Sequence, residues 1–244
     1  MIQSKLLDAE IGIKYYFTTR EFGFSNTPYK SLNFGFHVGD DKSHVQKNHK
    51  MINDYFQTDH TIFMNQVHSN SVEIIDSNTI APVTCDALIS NQKNVALMVM
   101  SADCTPILLY DKKKGVIAAI HAGRAGAFQN IIKESIQKFI FNYKCKPENI
   151  IAVLGPAIHQ CCYEINREIF DEAKKLGYAH AIKTFDEHYY LDVNTILHKQ
   201  LLECGLHEIN IEIINRCTAC ETEMFFSYRK EGITGRMASV IMKK

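Results

Sequence analysis

Residues 95–126 read VALMVMSADCTPILLYDKKKGVIAAIHAGRAG. Residues 95–100, 107–110 and 116–120 are apolar at successive positions instead of alternating, which is the pattern of strands buried on both faces. Ser101-Ala102-Asp103-Cys104 follows the first run, and His121-Ala122-Gly123 follows the last. A thiol and an imidazole therefore stand at the ends of buried strands, where a rigid scaffold commonly presents chemistry.

Working outward, residues 11–19 (IGIKYYFTT) predict a strand ending at Arg20. Residues 21–41 are rich in turn formers yet carry Phe22, Phe24, Tyr29, Phe34 and Phe36, so an ordered covering loop is expected there. Ser43 with Gln46 predicts a capping box opening a helix that runs to Gln57. Short strands are expected at 61–67, 71–75 and 87–90. Phe128, Ile131, Ile132, Ile136, Phe139 and Ile140 recur at helical spacing and predict one helix over 127–143. A strand over 150–154 follows, then helices over 167–176 and 193–204 stopped by Gly177 and Gly205. Strands over 211–215, 225–228 and 237–242 finish the chain. With no linker, repeat or low-complexity tract, residues 1–244 read as one α+β domain with about four helices.

Composition narrows the function classes. The chain has 27 basic and 27 acidic residues and no long run of one sign, which argues against nucleic acid or an anionic membrane as main partner. No apolar run approaches the ~18 residues of a membrane span. The N-terminal segment does not read as a signal peptide. A soluble, cytoplasmic protein is expected, with its eight cysteines as free thiols or metal ligands.

Several standard sites are missing from the sequence. It has no GxxxxGK[ST], no GxGxxG after a strand, no HExxH, no GxSxG and no HxE…PCxxC. No His-x-His pair occurs, which counts against a multicopper centre. Cys217-Thr218-Ala219-Cys220 is a CxxC, but no second CxxC or HxxxH accompanies it, and it sits between two expected strands. The adjacent Cys161 and Cys162 would point apart on a strand. Neither pair is expected to be functional.

Cys104 and His121 carry the chemistry. Joined by His68, a third strand-end candidate, they make an open zinc site of two imidazoles and a thiolate; alone they make a cysteine nucleophile with its base. Spacing leaves both open.

A wider set of segments bears on that choice. Thr18-Thr19-Arg20, Ser31-Leu32-Asn33-Phe34-Gly35, His37-Val38-Gly39-Asp40, Gln66-Val67-His68, Asp86-Ala87-Leu88, Ala102-Asp103-Cys104 and His121-Ala122-Gly123 occur in this order. They are followed by Leu154-Gly155-Pro156-Ala157-Ile158, Cys161-Cys162-Tyr163-Glu164, Phe225-Phe226-Ser227-Tyr228-Arg229 and Thr234-Gly235-Arg236-Met237-Ala238-Ser239. In these the chain resembles the YfiH-like laccase-domain family, called multicopper polyphenol oxidase in older naming. The resemblance implies two central mixed β-sheets between helical layers (α/β/β/α) and zinc held by His68, Cys104 and His121. It also implies phosphorolysis of adenosine, inosine, guanosine and methylthioadenosine, with adenosine deamination. Purine nucleosides and phosphate would be the partners. In one place the chain departs from the family, which follows His-Ala-Gly with tryptophan, arginine and glycine. Here the order is Arg124, Ala125, Gly126, so the arginine stands one place earlier.

Phosphate needs a fork of donors, and Arg20 is the first candidate for it; Asn33, Arg124, Arg229 and Arg236 rank behind. Asp103 is expected either to shuttle protons or to orient His68 or His121. Two rivals keep the same residues: a metal-free cysteine hydrolase using Cys104 and His121, and a non-enzymatic protein whose aromatic loop binds a partner. A copper polyphenol oxidase is disfavoured by the absent His-x-His pairs.

Overall fold

In the computed structural model, which describes residues 2–244, the chain begins with α1 (Lys5–Asp8), β1 (Ile13–Phe17) and α2 (Lys42–Phe56). Seven strands follow: β2 (Thr61–Asn65), β3 (Val72–Ile74), β4 (Val83–Thr84), β5 (Ala87–Ser90), β6 (Ala96–Ser101), β7 (Thr105–Asp111) and β8 (Val116–Ala122). Next come α3 (Arg124–Phe128), α4 (Ile131–Tyr143), β9 (Ile150–Leu154), β10 (Glu164–Ile165), α5 (Arg167–Lys175), β11 (Ile182–Phe185) and β12 (His188–Leu191). The chain ends with α6 (Val193–Glu203), β13 (Ile211–Ile213), α7 (Tyr228–Glu231) and β14 (Met237–Lys243).

The uninterrupted apolar runs are explained by two mixed sheets packed face to face. One sheet has the order β1-β14-β6-β2-β4 and the other β13-β9-β7-β8-β5-β3. Alternate residues of each run serve opposite faces. Leu97 and Val99 of β6 meet Leu108 and Tyr110 of β7 and Ile117 and Ala119 of β8 in the core between the sheets. Met98 and Met100 point the other way, to Ile52 and Phe56 of α2 and to Leu32 and Phe34 of the covering loop. Ile107, Leu109, Ala118 and Ile120 face Ile131, Ile136 and Phe139 of α4 and Ile196 and Leu197 of α6. The expected α/β/β/α layering is what forms. A small third sheet, β10-β12-β11, lies beside the helices of the last layer, with Ile165 and Leu191 buried there.

Some local expectations are corrected. Asp41, not Ser43, caps α2, its carboxylate accepting from the Ser43 amide; an acidic cap outside the first turn also suits the helix dipole. The helix expected over 127–143 is two helices, α3 and α4. Asn130 separates them with a left-handed backbone (φ 57°), and its side chain accepts from the Lys133 amide to open α4. Residues 225–228 form no strand. Phe225 and Phe226 are buried, and Ser227 caps α7 instead. Among the described residues seven α-helices form where about four were expected, because α1, α3 and α7 are only four or five residues long. The strands of the third sheet are too short to leave a periodic signal.

The core between the sheets gives a direct test. Leu108 is fully buried there, so Leu108→Ala leaves a cavity costing about 3 kcal/mol. In urea denaturation the midpoint is expected to fall with the slope unchanged.

Candidate functional site

Three chain crossings meet at one end of the sandwich. Strand β6 leaves the first sheet at Ser101, and β7 starts in the second at Thr105, so Ala102, Asp103 and Cys104 make the whole crossing. Such a short link forces Asp103 to φ 92°, a conformation costly for a residue with a Cβ. Cys104 thus precedes β7, and His121 lies inside β8, two residues longer than expected. His68 sits in the turn after β2, also left-handed at φ 59°. Their ligand atoms lie within 4.8 Å of one another, and the two imidazole rings are edge to face at 4.8 Å.

Asp86, at the head of β5, organises this cluster. It is fully buried and accepts from the amides of His68 (3.0 Å) and Ser69 (2.7 Å), the Ser69 hydroxyl (2.8 Å) and Nδ1 of His121 (2.9 Å). Because Nδ1 is taken, Nε2 of His121 is left to face Cys104. Burial would raise the Asp86 pKa, but these donors, His121 first, bring it down to about 2. Gln66 fixes the same turn from its other end by a paired bond to the Met100 backbone (2.8 and 2.9 Å). The role of orienting the histidines had been expected of Asp103. That is corrected: the Asp103 carboxylate is held by the Thr218 hydroxyl and the Arg229 amide, both at 2.7 Å, while its carbonyl accepts from Ile158. In the sequence Asp86 stands in one of the segments that carry the family resemblance, Asp86-Ala87-Leu88, but residue type and spacing gave it no role.

The donor set fits a metal ion. Burial would raise the Cys104 thiol, yet His121 and then His68 outweigh it and pull it well below the ordinary thiol range. Burial would lower His121, but the Cys104 thiolate and Asp86 push it up. A metal ion would take the place of the proton His121 carries, leaving one thiolate and two neutral imidazoles as donors. Gly123 leaves room for it: a Cβ there would stand 2.8 Å from Cys104 Sγ and 3.4 Å from the His68 ring. Two imidazoles and one thiolate match an open tetrahedral zinc site with one position left. Among the described residues this is the one metal cluster that contains histidine, whereas a multicopper oxidase needs several.

Through His68 and Cys104 the cluster reaches the wall of a cavity of about 640 Å³, a size suited to a small-molecule ligand, with His121 buried and not among the lining residues. Arg124, Arg229 and Arg236 line it together with His37, Tyr163 and Tyr228. Arg229 lies over the Tyr163 ring at 5.0 Å and bonds the Glu164 carbonyl; Arg124 pairs with Glu172 at 3.0 Å. Two expected phosphate ligands are corrected. Arg20 lies outside this cavity, with its guanidinium on the carbonyls of Lys30, Thr222 and Phe225 and on Glu231 (2.9 Å). Asn33 is fully buried, bonded to Asp40 and Gly35 and accepting from the Arg236 amide (2.8 Å). Both brace the loops that carry Arg229 and Arg236.

Residues 14–244 match the family described as multi-copper polyphenol oxidoreductase laccase. A crystallised YfiH protein of Bacillus licheniformis superposes with a TM-score of 0.91 at 32% identity, covering 95% of this chain and 93% of that one. The chain belongs to the YfiH-like laccase-domain family. A purine nucleoside phosphorylase of Corynebacterium glutamicum is 38% identical over 94% of both chains. The purine nucleoside phosphorylase YfiH of Escherichia coli is 35% identical over 94% of this chain and 93% of its own. In this member of the family Arg124 opens α3 at the cavity wall, with its guanidinium 5.5 Å above the Phe128 ring.

Two tests follow from the site. The depressed Asp86 pKa stabilises the fold by about 2 kcal/mol, fully above the ordinary carboxylate value near 4 and lost as the pH falls through about 2. Asp86→Asn is expected to destabilise the metal-free protein by about 3 kcal/mol near neutrality. In urea denaturation that gap to the parent should narrow as the pH falls from about 4 toward 2. Separately, Gly123→Ala crowds Cys104 and should weaken metal binding on the order of tenfold, read by competition with a chromogenic chelator.

Proposed function

We propose that the chain is a zinc-dependent purine nucleoside phosphorylase that also deaminates adenosine. The observation that carries this reading is one cavity that joins a His68–Cys104–His121 cluster to three guanidinium groups. It occurs in a chain 38% identical along 94% of its length to a protein named purine nucleoside phosphorylase. Adenosine, inosine, guanosine and methylthioadenosine are the substrates in this reading.

In phosphorolysis the ribose C1′–N9 bond breaks, a phosphate oxygen bonds to C1′, and the electron pair leaves with the purine. Positive charge grows on the ribose as it does in glycoside cleavage. The phosphate must be held as an anion against that charge. Arg124, Arg229 and Arg236 are the donors at hand, with forks matched to phosphate oxygens. Arg229 and Arg236 are mounted on one C-terminal segment, so its position sets where the anion sits. Tyr163 and Tyr228 offer flat apolar walls to the purine. His37 is held neutral by burial and by Arg236, so it can accept or donate a hydrogen bond without adding charge. A bound zinc ion would supply Lewis acidity. Asp103 lines the cavity and stays a candidate proton carrier, its carboxylate keeping acceptor capacity beyond its two bonds.

A second reading draws on Cys104, His121 and Asp86, which also stand as nucleophile, base and orienting carboxylate in a metal-free hydrolase. The close approach of His68 favours the metal, because such a triad needs no second imidazole.

Incubation with adenosine, with and without phosphate, tests the proposal. Adenine should appear only with phosphate, and inosine without it; release of neither overturns the reading. Cys104→Ala is expected to abolish metal binding at the His68–Cys104–His121 cluster and both activities, whereas alkylation-sensitive activity in protein lacking metal there would favour the triad. Arg229→Ala should reduce phosphorolysis about 100-fold and deamination much less.

A further inference from the structure

Four cysteines outside the cavity come together from two loops. Cys161 and Cys162 sit at the tip of a turn after β9, and Cys217 and Cys220 flank a turn after β13. Their sulfurs all lie within 4.8 Å of one another, with Cys161–Cys217 at 3.6 Å, Cys161–Cys220 at 3.5 Å and Cys162–Cys220 at 3.4 Å. Disulfide sulfurs are about 2.05 Å apart, so these are separate thiols. A tetrahedron of thiolates at the usual zinc–sulfur length of about 2.3 Å has edges of about 3.8 Å, close to the spacing seen. Core packing does not account for the group, because Cys161 and Cys220 are exposed.

Local structure is arranged around the sulfurs. In the second arm the amides of Cys220 and Glu221 close on the Cys217 carbonyl (3.2 and 3.1 Å), the tight turn that lets a CxxC converge on one point. The backbone amide of His159, in the first arm, donates to the Cys217 sulfur at 3.4 Å. In the first arm the amides of Cys162 and Tyr163 both bond the His159 carbonyl, and this turn brings adjacent cysteines to the same side. On a strand they would face apart, which is why the sequence pattern argued against them. A short parallel bridge, Thr218 amide to Ala157 carbonyl at 3.0 Å, already joins the arms.

We propose that Cys161, Cys162, Cys217 and Cys220 form a second, structural zinc site with all four positions filled by protein. It staples two arms that both bear on the cavity. Thr218 and Ile158 hold Asp103 from them, and Tyr163 follows Cys162 directly. This site stands or falls independently of the His68–Cys104–His121 cluster and of the proposed activity.

The test is metal analysis of the full chain purified under reducing conditions, with Cys104→Ala and Cys161→Ser/Cys220→Ser proteins alongside. Wild type should hold two zinc ions per chain, and each variant one. Cobalt loading gives a readout independent of folding in the variants. The wild-type thiolate-to-cobalt charge-transfer band should be roughly fivefold that of Cys161→Ser/Cys220→Ser, as five thiolate ligands become one. The four thiols should also resist alkylation until a chelator is added. One zinc in wild type, lost only in Cys104→Ala, overturns the proposal. So does a mass showing disulfides among these four cysteines, or iron in place of zinc.

Discussion

The buried carboxylate of Asp86 is the constraint on which the rest of the site depends. An ionised group with no exposed surface is costly to bury unless it is surrounded by donors. Here the donors come from two separate pieces of chain: the turn of residues 67–69 leaving one sheet, and His121 in β8 of the other. The same bonds that solvate the carboxylate therefore lock the sheets in register at this end. They hold His68 in a left-handed conformation and set which nitrogen of His121 faces Cys104. Packing between the sheets alone would tolerate small slides; a hydrogen-bonded carboxylate does not.

The three-residue crossing of 102–104 is the counterpart constraint. It takes the chain from one sheet to its neighbour with no slack, and the cost appears as the positive φ of Asp103. Bonds from Ile158, Thr218 and the Arg229 amide keep that conformation in place. Two of those partners, Ile158 and Arg229, also line the cavity. Strain at Asp103 thus ties the thiol of Cys104 to the loop that presents Arg229, so the Cys–His side and the arginine side of the cavity are positioned from one residue.

This division explains what the sequence made legible. Uninterrupted apolar runs at 95–100, 107–110 and 116–120 announce strands buried on both faces, but a single sheet covered by helices would carry the same runs, and the two stacked sheets were implied by the family resemblance. His68, Cys104 and His121 were identifiable by residue type at strand ends, but their convergence depends on which strands are neighbours, and β7 next to β8 with β5 beyond is a property of topology. Arg20 shows the opposite failure. An arginine beside an aromatic loop looks the same whether its fork meets a phosphate or, as here, three backbone carbonyls and Glu231. Asp86 escaped because a carboxylate at the head of a strand ordinarily reads as a turn former. The split of α3 from α4 turns on one left-handed residue, Asn130, inside an otherwise regular helical spacing.

The cysteines expose a limit of motif reading with a physical cause. Spacing rules ask for a second CxxC beside Cys217 and Cys220, and on a strand adjacent cysteines such as Cys161 and Cys162 diverge. In a turn successive residues need not diverge, and two bonds to the His159 carbonyl wind residues 160–163 tightly enough to bring both thiols to Cys220. Spacing rules for ligands are thus rules about backbone conformation. The arms that meet at these sulfurs also place Asp103 and Tyr163, while the sulfurs themselves lie outside the cavity wall. A group that close to the site, and off its surface, acts on the chemistry through geometry: it sets how far the two loops can part when a ligand enters.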